Sequence, residues 1–394
     1  MKNLNIIVIG TGMYSVGRGT DGFGTILPSI GEWKRNGGKL GKVTFVSTNC
    51  KSSKVALEKA KKLKKRTSIE IDVEAFPTEE GSYPNAYKDV ISSIPQPACV
   101  IIVVPDHLHY QVAKDCLEAN LPILMVKPLT PTAEEGRDLI RLAEKNNLYA
   151  AIEFHKRWDK ANLMMRDTIQ KNSIGDLLYF WVEYSQRKSI PQEVFKSWAS
   201  SSNVINYLGV HYIDLIYYIT DYLPCAVTVW QQSKFLKNNG IDTPDSVQMV
   251  IEWRNSDGDT FTSMMAINWI DPEASSAMSD QRVLLVGTNA RCLADQKHRG
   301  LEYTDDSGNG TRLINPYFTQ SYSNAGLVRY SGYGVRNIIS FISEVYEFKN
   351  NNTSKLPDSY TMQASFSDAL VSSSVLESVS RALTHPGEKI NIKL

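Results

Sequence analysis

The 394-residue chain carries 43 basic and 42 acidic side chains for a net charge of +1, so no global field draws it to nucleic acid or to a membrane surface. Its length exceeds what one hydrophobic core usually organises, and two domains are expected, at 1–128 and 129–394. Five scattered cysteines without C-x-x-C spacing read as reduced thiols, and six histidines in no ligand pattern give no expectation of a metal. The first strand begins almost at Met1, with no separate apolar segment ahead of it and no run long enough to cross a bilayer, so a cytoplasmic protein is expected.

In chain order, Ile6–Ile9 is a short apolar run read as a buried strand, and it leads straight into Gly10-Thr11-Gly12-Met13-Tyr14-Ser15. A strand followed by G-x-G-x-x-S is close to the dinucleotide fingerprint. Its first glycine permits a tight turn, its second lets backbone approach a pyrophosphate, and Ser15 stands where a third would allow close helix packing. Gly10, Gly12, Met13 and Tyr14 are the cofactor candidates of this turn. The polar stretch Gly17–Gly24 reads as an insertion, either a loop over the cofactor or substrate or a plain surface loop. A helix over Ile26–Arg35 and a second strand at Val43–Ser47 follow.

After that strand an NAD site usually places an acid for the ribose 2′-hydroxyl. Here the chain runs Thr48-Asn49-Cys50-Lys51-Ser52-Ser53, with no acid before Glu58. A cation among hydroxyls suits a 2′-phosphate, so Asn49 and Lys51 join the cofactor candidates and the expectation leans to NADP over NAD. The lysine-rich helix Lys54–Arg66 reads as a solvated face. Then come the apolar strand Cys99–Val104, the loop Pro105-Asp106-His107-Leu108-His109, a helix over Tyr110–Asn120, and Leu124-Met125-Val126-Lys127-Pro128. Lys127 ends a buried strand, and carboxyl ends of parallel strands are where α/β sheets bind ligands; Pro128 holds the residue before it in extended backbone. A helix over Ala133–Asn146 and a strand over Tyr149–Phe154 complete a rhythm that requires a parallel sheet covered on both faces.

The second half reads differently. Tyr207 and His211 lie four residues apart on an expected helix, with Asp214 a turn further. Runs at Ala226–Gln232, Val247–Trp253, Thr260–Trp269, Val283–Val286 and Ala290–Ala294 read as an antiparallel sheet with polar turns, among them Asp306–Gly310, and helices are expected near Val335–Phe348 and Met362–Ala382. The fold class is therefore α/β plus α+β: a Rossmann domain, then a domain on a large, mostly antiparallel, open-faced sheet that predicts a homodimer or homotetramer. Tyr179, Trp181, Tyr184 and Trp198 can stack on a sugar ring, although such aromatics are mostly core.

Together these motifs resemble the glucose-fructose oxidoreductase and inositol dehydrogenase family (Gfo/Idh/MocA) along essentially the whole chain. The resemblance implies that Pro105, Asp106 and His109 match a P-N-x-x-H loop contacting the cofactor. Val126-Lys127-Pro128 matches an E-K-P motif whose lysine sits beside the reacting carbon, Arg157-Trp158 matches an R-F or R-Y pair, and Tyr207–Asp214 matches D-x-G-x-H-x-x-D. It further implies hydride transfer between nicotinamide and a carbinol carbon of a sugar, sugar nucleotide or cyclitol, with Lys127 and His211 catalytic and Lys127, Arg157, Tyr207, His211 and Asp214 binding substrate. Val126 replaces the family glutamate, Tyr207 replaces an aspartate, and Ser200-Ser201-Ser202-Asn203 replaces a glycine-rich run. Two alternatives are a non-catalytic dinucleotide- or sugar-sensing regulator of the same fold and an NAD-dependent glycosidase.

Overall fold

The computed structural model describes residues 2–196, 199–304, 310–350 and 362–394. Trp198 and most of the expected turn at Asp306–Gly310 lie outside the described residues. In chain order the first elements are β1 (Leu4–Ile9), α1 (Met13–Val16), α2 (Ile26–Arg35), β2 (Leu40–Val46), α3 (Cys50–Thr67), β3 (Val73–Phe76), α4 (Ala86–Ser93), β4 (Ala98–Ile102), α5 (His109–Glu118), β5 (Ile123–Val126), α6 (Ala133–Lys145) and β6 (Ala150–Glu153). They are followed by α7 (Lys160–Gln170), β7 (Leu177–Arg187), α8 (Val210–Thr220), β8 (Leu223–Gln232), α9 (Phe235–Asn238), β9 (Ser246–Arg254), β10 (Thr260–Asp271), β11 (Ser279–Gly287) and β12 (Arg291–Asp295). The hairpins β13–β14 (Leu301–Thr304, Thr311–Ile314) and β15–β16 (Gln320–Asn324, Leu327–Ser331) precede α10 (Tyr333–Asn350), β17 (Ala364–Ser365), α11 (Phe366–Ala382) and β18 (Lys389–Asn391).

The chain divides into two compact units that interleave in sequence. One takes residues 1–129, 134–158 and 318–367; the other takes 130–133, 159–317 and 368–394. The segments 134–158 and 318–367, which a division at 128/129 places in the second domain, thus pack with the first.

The first unit is a seven-stranded sheet in the order β17-β6-β5-β4-β1-β2-β3. Strands β1 to β6 are parallel, and β17 joins antiparallel at the edge beside β6. Chain order reverses direction about β1, whose neighbours are β2 and β4, and the crevice beyond such a switch point is where open α/β sheets bind ligands. The strands are apolar because both faces are covered: Ile6, Ile7, Val8, Val100, Ile102, Leu124 and Met125 have no exposed surface.

The insertion at 17–24 cuts the helix that follows β1 to a single turn. Gly17 ends α1 at φ 71°, and the Thr25 amide returns to the Tyr14 carbonyl at 2.7 Å before α2 starts. The loop is packed: Phe23 is buried against Tyr330, Lys59 donates to the carbonyls of Thr20 and Gly22 at 2.5 and 2.6 Å, and Arg18 donates to Ser52 Oγ at 2.7 Å.

The second unit holds a sheet in the order β12-β11-β7-β10-β9-β8-β18. It is antiparallel except at its centre, where β7 and β10 run parallel. The inner face carries Phe180, Val182, Met265, Ile251 and Val229, all buried. Aromatic contacts join this sheet to α8 and the turn ahead of it: Tyr184 meets Tyr212 at 6.0 Å and Trp269 meets Tyr207 at 5.9 Å. The outer face shows a transverse row in register, Leu293, Leu284, Trp181, Met264 and Val250, with Leu293 65% and Trp181 42% exposed.

Candidate active site

Site chemistry in the first unit gathers at the carboxyl ends of β1, β4, β5 and β6. At β1 the tight turn needs Gly10, whose φ is 106° and where a Cβ would stand 1.9 Å from the Val103 carbonyl oxygen. Gly12 has a different reason. Its φ of −78° suits any residue, and a Cβ there meets no atom within 4 Å among the described residues. Neither strain nor crowding explains that glycine, whereas close approach of a ligand does. Beside it, the buried hydroxyls of Thr11 and Ser15 find no hydrogen-bond partner among the described residues. Orphaned polar atoms at a glycine turn on a switch point fit a dinucleotide's phosphates.

At the end of β2, the Asn49 side chain accepts from the Ser52 amide and so caps α3. Lys51 is exposed, and Arg18 reaches Ser52 from the insertion. Sequence reasoning had offered Lys51 as the cation here and missed Arg18, since nothing in the local pattern ties residue 18 to residue 52.

At β4, Asp106 opens a 3₁₀ turn and accepts from the His107 amide at 3.0 Å; Pro105 precedes that turn. His109 starts α5 with no exposed surface. Its Nδ1 lies 2.6 Å from the Pro128 carbonyl and its Nε2 3.0 Å from the Val104 carbonyl. Burial, and then the positive charge of Lys127, push its pKa down against the pull of those carbonyls and Asp106. Both ring nitrogens face backbone carbonyls, of which a neutral imidazole donates to one, and the ring lies between the β4 loop and the segment bearing Lys127.

Lys127 follows β5 directly. Burial lowers its pKa from 10.5 to about 7, opposed by the carboxylates of Asp106 and Glu153. Glu153, on β6, is 2% exposed and accepts from Tyr14 Oη at 2.9 Å, while His155 Nδ1 lies 2.9 and 3.1 Å from its two oxygens. The His155 ring is itself held by Phe318 at 4.8 Å and Tyr333 at 5.7 Å. Burial, then Glu153, raise the Tyr14 phenol well above its usual range, so it stays a neutral donor. Sequence reasoning had noted the carboxylate lost at position 126 and missed this one. Arg157 lies in the 3₁₀ turn after β6 at 2% exposure.

In the second unit, His211 and Asp214 lie on α8 at 5% and 1% exposure. Tyr207 belongs not to that helix but to a π turn, Ile205–Gly209, immediately before it. The backbone is helical at Val204, Gly209 and Val210, so the π turn runs directly into α8. Tyr207 packs against Phe195 at 4.6 Å, and burial raises its phenol pKa. Among the described residues no group of three or more His, Cys, Asp or Glu could hold a metal ion, and no helix is long and apolar enough to cross a membrane.

Two family models match this chain. The oxidoreductase family with an NAD-binding Rossmann fold matches residues 28–154, and the GFO/IDH/MocA C-terminal domain matches residues 162–292. The chain belongs to the Gfo/Idh/MocA oxidoreductase family. Among relatives, it is 30% identical over 142 residues to scyllo-inositol 2-dehydrogenase (NADP(+)) IolW of Bacillus subtilis, covering 35% of this chain and 38% of that protein. It is 28% identical over 155 residues to inositol 2-dehydrogenase of Corynebacterium glutamicum, covering 39% and 44%. The chain thus aligns over less than half the length of these relatives. The solved myo-inositol 2-dehydrogenase of Lactobacillus plantarum superposes with a TM-score of 0.69 over 100% of both chains at 17% identity, a likeness of fold.

Proposed function

We propose that this chain is an NAD(P)-dependent dehydrogenase acting on CH–OH groups, with a cyclitol as the preferred substrate class and sugars or sugar nucleotides next. The observation that carries the reading is Lys127, an ammonium at the end of a buried strand whose pKa is brought to about 7. A group tuned to working pH at a ligand-binding strand end is suited to proton transfer. The inositol dehydrogenases among the relatives supply the substrate class.

In this proposal the unit built on residues 1–129 holds the dinucleotide and the unit built on residues 159–317 the substrate. Gly10, Gly12, Met13 and Tyr14 take the pyrophosphate side, Asn49 and Lys51 the adenosine ribose, and Pro105 and Asp106 the nicotinamide side. Bound nicotinamide supplies the hydride acceptor or donor at C4. Lys127 Nζ hydrogen-bonds the substrate oxygen and relays its one proton towards the base. His211 takes the hydroxyl proton as general base, and Asp214 orients its imidazole. Arg157 and Tyr207 bind the remaining hydroxyls. Arg18, Lys51 and Ser52, with no acid before Glu58, support NADP over NAD. The apolar outer row on the second unit's sheet supports a homodimer or homotetramer in a cytoplasmic enzyme; a monomer in light scattering at micromolar concentration would overturn that assembly.

The test is a panel of inositols, sugars, sugar phosphates and sugar nucleotides with NAD and NADP, followed at the reduced-nicotinamide absorbance. Turnover greatest with an inositol and NADP is expected. Measurable cofactor binding with no turnover on any member would overturn the dehydrogenase.

A further inference from the structure

We infer that Glu153 is a positioning residue for Lys127, supplying from β6 the carboxylate that position 126 of β5 lacks. The inference rests on the proposed role of Lys127 and deepens it.

Three observations carry it. First, Val126 and Glu153 are direct partners in the parallel β5–β6 register. Partners in register send their side chains to the same face of a sheet, so the Glu153 carboxylate occupies the side on which a carboxylate at position 126 would lie. Second, the carboxylate is fixed. Tyr14 donates to one oxygen, His155 sits within hydrogen-bond distance of both, and the His155 ring is packed by Phe318 and Tyr333. A carboxylate buried to 2% exposure costs free energy unless such donors hold it. Third, its charge acts on Lys127. Among the described residues of the first unit, Asp106 from the 3₁₀ turn, Glu153 from β6 and His109 from α5 are titratable groups that act on that lysine, and both carboxylates favour the ammonium form against burial.

A purely structural Glu153 would serve only as an acceptor for Tyr14 and His155. Glutamine offers nearly the same shape and an acceptor oxygen, so Glu153→Gln separates the two roles. It leaves an acceptor and removes the charge.

The experiment is a pH titration of the full chain carrying [ε-13C]lysine, with the Lys127 resonance assigned as the one lost in Lys127→Arg. Glu153→Gln is expected to move the Lys127 midpoint down by about one pH unit, the size expected on removing one nearby opposite charge. The double variant Val126→Glu/Glu153→Gln returns it towards the wild-type position. Val126→Glu alone would set a second carboxylate against Glu153, and such a pair shares a proton; the double variant, which carries a single carboxylate there, keeps the idea testable if Glu153→Gln alone does not fold. In any variant that turns substrate over, the lysine limb of the pH–kcat profile moves with the resonance. A folded Glu153→Gln with an unmoved midpoint, or a double variant whose midpoint stays well below the wild-type position, overturns the inference. Because the resonance needs no turnover, a failed dehydrogenase assay leaves this result readable on its own.

Discussion

The His109 ring stands 2.6 Å from the carbonyl of Pro128 and bridges to the Val104 carbonyl on its other side, without any exposed surface. It therefore couples the loop after β4 to the residue that follows Lys127. Replacing it with leucine keeps the volume and leaves the one backbone carbonyl that accepts from the neutral ring without its donor. A loss of roughly 1–3 kcal/mol in unfolding free energy is expected, together with a fall in kcat at near-constant cofactor affinity. Urea unfolding and steady-state kinetics check both. Unchanged kcat in a stable His109→Leu would remove the positioning role.

Lys127 makes a prediction in pH. Its folded-state pKa is depressed to about 7 from the ordinary 10.5. Between those values the unfolded chain binds a proton at this side chain that the folded chain has released, so this group makes unfolding free energy rise with pH across the window. Lys127→Met removes that rise. It also lowers kcat by roughly 10²–10⁴-fold, the usual reach of a positioned proton-transfer group. Parallel pH–stability curves for the two proteins would contradict the depressed value.

Gly10 and Gly12 fail differently when given a side chain. Gly10→Ala meets the Val103 carbonyl and a positive φ, and loses stability by about 1–3 kcal/mol. Gly12→Val has room within the chain and keeps its melting temperature, but blocks a dinucleotide's approach, weakening cofactor binding by roughly 100-fold or more, about 2.7 kcal/mol. Thermal melts set beside fluorescence titrations with NADPH separate these outcomes. Normal cofactor affinity in Gly12→Val would remove the glycine turn from the binding site.

Arg18 and Lys51 flank the amino end of α3. Arg18→Ala is expected to raise the NADP dissociation constant by roughly tenfold, about 1.4 kcal/mol, while changing that for NAD by much less. Lys51→Ala acts in the same direction. Equal losses for the two cofactors, measured by calorimetry, would place these cations away from a 2′-phosphate.

Local pattern revealed what local chemistry dictates. The Ile6–Ile9 strand with its glycine turn and the apolar strand ending on Lys127 were both legible, because burial on two faces writes continuous apolar runs. The parts that depend on pairing were not. Glu153 became meaningful only through its register with Val126. Arg18 became meaningful only through the path of an insertion that splits the first helix. Strand β7 was overlooked because Trp181 and Tyr184 read as separate aromatics, whereas they alternate across a sheet whose central pair is parallel. The four-residue spacing of Tyr207 and His211 suggested one helix, and it carries no mark of the π turn that holds Tyr207 and runs into α8. The return of residues 318–367 to the first unit has no sequence signature at all, since it is a matter of long-range packing.

The central claim is hydride transfer from a carbinol carbon, and isotope transfer tests it most directly. Inositol deuterated at its ring carbons is incubated with the full chain and NADP, and the reduced cofactor is examined by mass spectrometry. One deuterium in the reduced nicotinamide of the wild type, and only a trace with Lys127→Met, is the result the account predicts. Cofactor that binds but gains no deuterium from any polyol would contradict it.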